Sequence, residues 1–391
     1  MSIFLFFLGI LQCALVWLLG RAGSALAGRA ARDRGIVAAM PADMWPACAL
    51  IIPAAGAHPD MEAALRSLGE QNYPDYALYI ITAGENDPAC ALVSRLSLQY
   101  PHIRHVVAGE AQHCGQKNHN LLAGIAAAGD SAEIYAFCDS THIAAPDFLR
   151  CLAAPIARNE AAFTTGYHEV EPGDQGLVSL AYALCVMFMR FMQALPNLTQ
   201  PWGGAMAMSR RAFLRAEVAD LWRSNVVDDC SLAAMLQRDG LPVRLCPAAL
   251  LRTRVVNHPF AVWRAWLERQ ILFLKFCMPA QWLLLGLVCV IMVAPSLWIL
   301  WACLRGLLGL GGGTAPFLAL CLLCLLGWAL NGWRRFLPAA PPVGRWLVAF
   351  FCASLMFAAV YCGTLGSHTL LWHNIVYRVG KGGKVLAMER Q

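Results

Sequence analysis

Charged residues are scarce in this chain: Asp, Glu, Lys and Arg together make up 14% of its 391 residues, while 59% are hydrophobic. The mean hydropathy is +0.53. A protein of this composition has too little polar surface to be soluble and globular throughout its length. Part of the chain is therefore expected to lie in lipid.

Basic residues are missing before the first apolar run, which extends from Ile3 to Gly20. A secretory signal peptide carries positive charge at that point, so the peptidase-like sequence Ala25-Leu-Ala27 does not make a cleaved leader the better interpretation. Basic residues follow the run instead, at Arg21, Arg29, Arg32 and Arg34. The positive-inside rule then predicts an uncleaved anchor whose C-terminal side faces the cytoplasm.

A strong excess of one charge is also missing, since the net charge is +6. This value favours an anionic membrane surface or a phosphate-bearing substrate over nucleic acid as a partner. The 16 cysteines are scattered through apolar segments, and the Cys321 and Cys324 pair has no His or Asp nearby. The cysteines are therefore interpreted as reduced core and membrane residues rather than as disulfides or a zinc site.

Short apolar runs alternate with segments of helical spacing in the first part of the chain after the anchor. The predicted order is strand 45–53, helix 61–70, strand 76–82, helix 89–99 and strand 103–107. Strands and helices that alternate with short connections are typical of a parallel sheet covered on both faces. We therefore expect an α/β domain that binds its ligands beyond the carboxyl ends of the strands.

The apolar run 134–138 stops abruptly at Asp139, Ser140 and Thr141. This pattern predicts a buried strand with Asp139 at its carboxyl end, where a carboxylate can face a nucleotide diphosphate or the metal ion that neutralises one. A cluster of Asp, Ser and Thr after a strand also forms turns by hydrogen-bonding to local backbone. The pattern alone leaves both roles open for Asp139.

Lys117 stands at the opening of a predicted helix rich in small residues. A lysine there adds a charge to backbone N–H groups that already favour an anion, which makes it a candidate diphosphate contact, with a solvated surface lysine as the alternative. Gly203 and Gly204 follow Trp202. Paired glycines permit close approach of the backbone to a ligand, although a tight turn alone also requires them.

Asp228 and Asp229 are adjacent carboxylates at the start of another predicted helix. Asp is common at helix N-caps for structural reasons alone. Two adjacent carboxylates also raise each other's pKa, which is how a general base is tuned. The pair is therefore a candidate general base, with helix capping as the alternative.

The remaining apolar segments are assigned to the membrane and its surface. Residues 176–195 are interpreted as an amphipathic helix on or near the bilayer, where a lipid acceptor would arrive, and 260–276 as an interfacial helix rich in Trp and Arg. Spans are predicted at 282–304, 316–330 and 346–365, with a glycine hinge at 311–313. Three crossings leave the basic tail outside, so either the middle span is re-entrant or the tail departs from the positive-inside rule.

The order of these parts resembles a membrane-bound family 2-type glycosyltransferase, with a closer resemblance to ceramide glucosyltransferases and bacterial hopanoid-associated relatives. The landmarks are Glu70-Gln-Asn-Tyr-Pro74, Asn86-Asp87-Pro-Ala89, Lys117-Asn-His-Asn-Leu121, Cys138-Asp-Ser140 with Pro146-Asp147, and Asp228-Asp229. The resemblance implies an α/β fold with a GT-A-type, Rossmann-like nucleotide-sugar-binding domain and about four transmembrane helices. The expected parts are an anchor and basic linker (1–34), a cytoplasmic catalytic domain (35–259), an interfacial helix (260–281), transmembrane helices (282–366) and a basic tail (367–391).

The resemblance also implies roles for single residues. In the donor site, Asp87 would contact the uracil, Lys117 the diphosphate, and Asp139, with Ser140 beside it, a divalent cation such as Mg or Mn. The general base would be Asp229 with Asp228 beside it, and the acceptor side would include Trp202, Gly203, Gly204, Arg269 and Gln270. Three positions depart from the family's pattern: Thr141 replaces a second Asp, residues 82–84 lack an acidic residue, and Gln270 replaces a tryptophan.

The function implied by the resemblance is the inverting transfer of a hexose from a nucleotide sugar, UDP-linked, to the hydroxyl of a ceramide- or hopanoid-like membrane lipid. The expected location is a multi-pass protein of a bacterial inner membrane with its catalytic domain in the cytoplasm, and nucleic acid is not an expected partner. Two alternatives are kept: a processive polysaccharide synthase, which needs a translocation channel, and a catalytically silent relative that binds lipid or a partner protein.

Overall fold

The computed structural model describes residues 2–195, 197–310 and 313–391. Its strands are β1 (Cys48–Pro53), β2 (Tyr76–Thr82), β3 (Ile103–Val107), β4 (Ile134–Cys138), β5 (Phe163–Pro172), β6 (Ala205–Ser209), β7 (Val243–Val255), β8 (Thr369–Trp372), β9 (Ile375–Val379) and β10 (Val385–Arg390). Its α-helices are α1 (Ser2–Ala39), α2 (Met61–Gly69), α3 (Ala89–Gln99), α4 (Gln116–Ala128), α5 (Phe148–Ala157), α6 (Leu177–Met192), α7 (Arg210–Arg215), α8 (Val218–Trp222), α9 (Asp229–Arg238), α10 (Phe260–Cys277), α11 (Pro279–Leu307), α12 (Ala315–Asn331) and α13 (Val343–Thr364).

A seven-stranded sheet in the order β3-β2-β1-β4-β6-β5-β7 forms the centre of the catalytic domain. Strands β3, β2, β1 and β4 run parallel, as predicted. Strand β6 is antiparallel to both of its neighbours, so the complete sheet is mixed. The reversal arises because the chain leaves β5 through α6 and returns to the same edge of the sheet before β6 begins.

Helices cover both faces of this sheet. Alternate residues of β1 point to opposite sides, which is the period of a strand. Leu50 and Ile52 share a buried apolar cluster with Leu65 of α2, and Ile51 shares another with Leu121 of α4. This two-sided burial explains why β1 and β4 are apolar runs rather than alternating ones.

Helix α1 continues well past the predicted anchor, and the stretch expected as a basic linker is helical. Its first half packs in the membrane part, where Gln12 Nε2 donates to Met292 O at 2.8 Å and contacts Ser296 Oγ at 2.7 Å. Such buried amide contacts join helices in lipid. Its second half lies on the catalytic domain, with Ala30 and Val37 in a core cluster of that domain.

Helix α6, predicted as an amphipathic helix on or near the bilayer, is apolar and buried on most of its sides. Eleven of its residues are buried, and it packs between β5, α1 and α13. Its Phe191 ring lies 5.0 Å from the ring of Trp333. A helix that is apolar on nearly all sides is stable only inside a core, which explains the difference from the prediction.

Within the part of the chain that the structure describes, four helices are long and apolar enough to cross a membrane, and they begin at Ile3, Pro279, Ala315 and Val343. Helices α11 and α12 form a hairpin that closes where Gly306 lies against Pro316. Two residues of the predicted hinge, 311 and 312, lie outside the described residues.

Helix α13 connects two points at the open end of this hairpin. Near its start, Trp346 Nε1 donates to Leu330 O at the end of α12 (3.1 Å), and at its end Thr364 Oγ1 accepts from Trp282 Nε1 at the start of α11 (3.3 Å). The two ends of α13 therefore contact different helices of the hairpin. Because α13 is itself long and apolar enough to span a membrane, the parity of the crossings stays a prediction.

The C-terminal tail, which had no predicted structure, forms an antiparallel sheet in the order β10-β9-β8. This small sheet packs on the catalytic domain, where Val226 N–H donates to Gly383 O and Val385 N–H to Ser224 O, both at 2.9 Å. The Tyr377 hydroxyl also accepts from the backbone N–H of Gln116 at 3.2 Å. The tail and the catalytic domain therefore lie on the same side of the membrane helices.

Candidate active site

Four elements meet at one edge of the large sheet. Strand β4 ends at Cys138, so Asp139 emerges at its carboxyl end, as predicted. Because β6 is antiparallel to β4 and pairs Ala205 with Cys138, the residues just before β6 lie beside Asp139. The N-termini of α4 and α9 bring Lys117 and Asp229 to the same place.

Lys117 is the centre of this cluster. Its Nζ lies 2.9 Å from Asp139 Oδ1 and 3.1 Å from Asp228 Oδ2, and it donates to Gly203 O at 3.2 Å. Its side chain is 13% exposed, so it is not the solvated surface lysine of the alternative interpretation. Burial alone would lower the pKa of Lys117, but the carboxylates of Asp139, Asp228 and Asp229 raise it above its ordinary value. The lysine therefore stays charged.

Gly203 is a glycine because the cluster has no room for a side chain. A Cβ atom at this position would collide with Asp228 Oδ2 and approach Lys117 Nζ. The backbone N–H of Gly203 donates to Asp229 Oδ2 at 2.9 Å. The sequence predicted that the backbone at Gly203 approaches a ligand closely. In the structure it approaches the carboxylates and the lysine of the chain itself.

The two adjacent aspartates occupy different environments. The Asp228 side chain is only 1% exposed, whereas Asp229 is half-buried. Burial raises the pKa of Asp228 to about 6 although Lys117 lowers it, and Asp229 and Asp139 raise it further. Burial is the largest of these effects, and it outweighs the ion pair with Lys117 at 3.1 Å. The sequence led us to expect raised pKa values in this pair of adjacent carboxylates, and Asp228 has one.

Asp228 takes the N-cap position of α9, but its side chain makes no capping hydrogen bond. Asp229 is the first residue of the helix and accepts from Cys230 N–H through Oδ1 at 2.6 Å. Neither carboxylate acts as a conventional N-cap, which binds the N–H groups two or three residues further on. A purely structural capping role does not explain this pair.

The carboxylate of Asp139 faces side chains rather than the backbone of its own turn. Oδ1 pairs with Lys117, and Oδ2 lies 3.8 Å from His142 Nε2. The side chain is 34% exposed, while Ser140 is buried. Within the described residues, no group of three His, Cys, Asp or Glu side chains is placed to hold a metal ion. A cation at Asp139 would therefore take several ligands from a bound diphosphate and water, as Mg²⁺ commonly does.

Asp87 lies apart from this cluster, at the loops that follow β1 and β2. Its Oδ1 accepts from Gly56 N–H at 2.8 Å and from Ala89 N–H at 2.9 Å. These contacts fix two neighbouring loops at the carboxyl edge of the sheet. The other carboxylate oxygen remains available to a ligand.

The candidate acceptor residues fall into two groups. Trp202 stacks on His168 with ring centroids 4.7 Å apart, and a Cβ atom at Gly204 would collide with the Trp202 ring. Arg269 and Gln270 lie on α10, outside the lysine cluster. On that helix Trp266 packs edge-on against Tyr182 of α6.

Three further residues next to the cluster were not predicted. His142 Nδ1 lies 2.9 Å from Thr253 Oγ1, and the same hydroxyl lies 2.7 Å from His168 Nδ1. Burial lowers the pKa of both imidazoles. His142 is part of the polar stretch after β4, so position could have indicated it. His168 and Thr253 lie in strands that carry no sequence signal of function.

The sequence matches one family model and one curated relative. The model of the family described as "Glycosyl transferase family 21" matches residues 10–385. A ceramide glucosyltransferase of Komagataella phaffii is 32% identical over 84 residues, which is 20% of this chain and 16% of that protein. The chain therefore matches much less than two thirds of that relative.

The solved structures give the fold. The mannosyltransferase PcManGT of Pyrobaculum calidifontis, in complex with GDP-Man and Mn²⁺, has a TM-score of 0.52 at 16% identity, over 89% of this chain and 99% of that one. A glucosyl-3-phosphoglycerate synthase of Mycobacterium tuberculosis has a TM-score of 0.36 at 18% identity, over 60% of this chain and 80% of that one. The first likeness supports the GT-A-type fold predicted from the sequence.

Proposed function

The chain belongs to glycosyl transferase family 21, and on that premise we propose that it transfers a hexose from a UDP-sugar to the hydroxyl of a membrane lipid. The observation that carries this proposal is the cluster in which Lys117 bridges Asp139 and Asp228 at the carboxyl edge of the sheet. That edge is where open α/β sheets bind nucleotides. Asp229, half-buried, lies beside the cluster with its Oδ2 bonded to Gly203 N–H.

Asp229 is the general base of the proposed reaction. It takes the proton of the acceptor hydroxyl as that oxygen attacks the anomeric carbon, and the sugar passes through an oxocarbenium-like state. The hydrogen bonds from Gly203 N–H and Cys230 N–H hold its two oxygens in place. A single displacement of this kind inverts the anomeric configuration.

Lys117 and Asp139 serve the leaving group. The ammonium group of Lys117 offers a fixed positive charge to the diphosphate without further reorganisation. Asp139 would hold a divalent cation, Mg or Mn, and such a cation would supply positive charge to stabilise the departing diphosphate. Asp87 binds the nucleotide base from the neighbouring loops, and Ser140 lines the donor site.

A lipid acceptor is supported by the path from the cluster to the membrane helices. Trp202 follows α6 in the chain and directly precedes Gly203, and its ring lies 5.0 Å from that of Tyr167. Beyond α6 lies an apolar cavity lined by residues of α1, α6, α11 and α13, among them Val16, Leu184, Phe188, Met292, Phe350 and Phe357. A hydrocarbon chain held there keeps a lipid headgroup near Trp202, Gly204 and the helix that carries Arg269 and Gln270.

The proposed location is a bacterial inner membrane, crossed several times, with the catalytic domain in the cytoplasm. Nucleotide sugars are made in that compartment. The arginines after the first apolar run support this orientation. Because the tail packs on the catalytic domain, it faces the cytoplasm too.

The experiment uses the full-length protein in lipid nanodiscs with a panel of UDP- and GDP-linked hexoses. We expect one donor to raise the thermal midpoint and to transfer label to ceramide or to a hopanoid alcohol. Release of a long polymer would identify a processive synthase instead. Lipid binding without transfer from any donor would identify a silent relative and contradict the proposal.

A further inference from the structure

The position expected to hold a second metal-binding aspartate is Thr141, and the structure places a different ligand beside Asp139. His142 follows Thr141, and its Nε2 lies 3.8 Å from Asp139 Oδ2. That separation is too long for a hydrogen bond. A carboxylate oxygen and an imidazole nitrogen at this distance are close enough to bind the same metal ion.

The backbone next to His142 is fixed by a contact with a distant strand. Ile143 N–H donates to Arg252 O and Arg252 N–H donates to Ile143 O, both at 2.9 Å. This reciprocal pair is an isolated antiparallel bridge between the loop after β4 and strand β7. Because the pairing is antiparallel, His142, one residue before Ile143, lies opposite Thr253, one residue after Arg252.

The imidazole itself is held by Thr253. The Thr253 hydroxyl lies 2.9 Å from His142 Nδ1 and 2.7 Å from His168 Nδ1. When His142 donates its Nδ1–H to that hydroxyl, the hydroxyl donates in turn to His168, and Nε2 of His142 carries a lone pair. A metal-bound histidine commonly has its other ring nitrogen oriented by such a partner.

Aromatic rings restrict the orientation further. The His142 ring lies 4.9 Å from that of His168 and 5.4 Å from that of Trp202. The side chain of His142 is only 11% exposed, so these neighbours leave it little freedom to turn. A ligand held by packing and by a hydrogen bond loses little entropy when it binds an ion.

We propose that His142 Nε2 is the second protein ligand of the divalent cation held by Asp139. The pair supplies one nitrogen and one oxygen, and the donor diphosphate and water complete the coordination. Imidazole is a better ligand for transition metals than for Mg²⁺, so this site prefers Mn²⁺. The inference rests on the proposed function, because a nucleotide diphosphate provides the remaining ligands.

The test is electron spin-echo envelope modulation of Mn²⁺ bound to the full-length protein with UDP. We expect ¹⁴N modulation from a directly bonded imidazole in the parent protein, and its loss in His142→Ala and His142→Gln. The matched control is His113→Ala, which changes an exposed histidine of the loop before α4 and retains the signal. A parent spectrum without ¹⁴N modulation, or modulation that survives both His142 changes, overturns the inference.

A second readout tests the orienting hydroxyl. Thr253→Val should weaken Mn²⁺ binding in the presence of UDP by about 10- to 100-fold, as loss of such partners does. Thr253→Ser keeps the hydroxyl and should retain affinity. Equal affinity in Thr253→Val and the parent contradicts the arrangement. If the parent protein transfers sugar but its bound Mn²⁺ has no nitrogen ligand, only this inference is contradicted. If the parent protein binds no Mn²⁺ in the presence of UDP, the proposed function is contradicted as well.

Discussion

In the half of the sheet formed by β3, β2, β1 and β4, every strand runs in the same direction and is followed by a helix that packs back on the sheet. In the half formed by β6, β5 and β7, one strand is reversed and the chain leaves through α6 to contact the membrane helices. Lys117 and Asp139 come from the first half, and Gly203 and Asp228 from the second. Lys117 joins the two halves by its ion pairs with Asp139 and Asp228. In the proposed function the first is the donor half and the second, formed by β6, β5 and β7, is the acceptor half.

The side of the membrane on which the C-terminal tail lies gives the sharpest test of this comparison between the two halves of the sheet, because the result is all or none. A C-terminal tag should be cleaved by protease in the same vesicles as a site inserted near residue 150. The reason is that Val385 and Gly383 are hydrogen-bonded to the acceptor half. Cleavage of the two sites in vesicles of opposite orientation would show that α13 crosses the membrane fully.

Gly203→Ala should separate the two halves where they meet. The added methyl group collides with the Asp228 carboxylate and displaces Lys117. We expect the rate of sugar transfer to fall by about 10²-fold, as small misplacements of catalytic groups do. The matched control is Gly84→Ala in a loop of the parallel half, where a Cβ atom meets nothing within 4 Å. Equal rates for the two variants would contradict the role given to Gly203.

The smallest effect concerns the pH dependence of stability. The pKa of Asp228 is raised from 3.8 to about 6 in the folded protein, so the folded form holds a proton that the unfolded chain has released. The free energy of unfolding therefore decreases as the pH rises from about 4 through 6. Asp228→Asn should flatten this dependence and change the difference between the thermal midpoints at pH 4 and pH 7 by a few degrees. If Asp228→Asn leaves the pH dependence of stability unchanged, the group with the raised pKa is a residue other than Asp228.

The sequence predicted the parallel half well because that half depends on local patterns. Strands β2 and β3 and helix α3 begin and end at the predicted residues, and Asp139 stands at the end of β4 as expected. Apolar runs bounded by turn residues carry this information without reference to the rest of the chain.

The acceptor half depends on contacts between residues far apart in the chain. The bridge between Ile143 and Arg252 and the bond from Gln116 N–H to the Tyr377 hydroxyl leave no local pattern. The reversal of β6 and the tail sheet were not predicted for the same reason. The candidate site residues were indicated by carboxylates and a lysine at element ends, but their distances required the structure.

The central claim is that Asp229 takes a proton only in the transition state, and the most direct measurement compares Asp229→Asn with Asp228→Asn in transfer kinetics. We predict that Asp229→Asn lowers kcat by about 10² to 10⁴-fold while the Kd for the nucleotide sugar stays close to that of the parent protein. Asp228→Asn, which removes a buried charge beside Lys117, should cost less in kcat. If both variants transfer sugar at the parent rate and lose only thermal stability, the pair is structural and the base lies elsewhere.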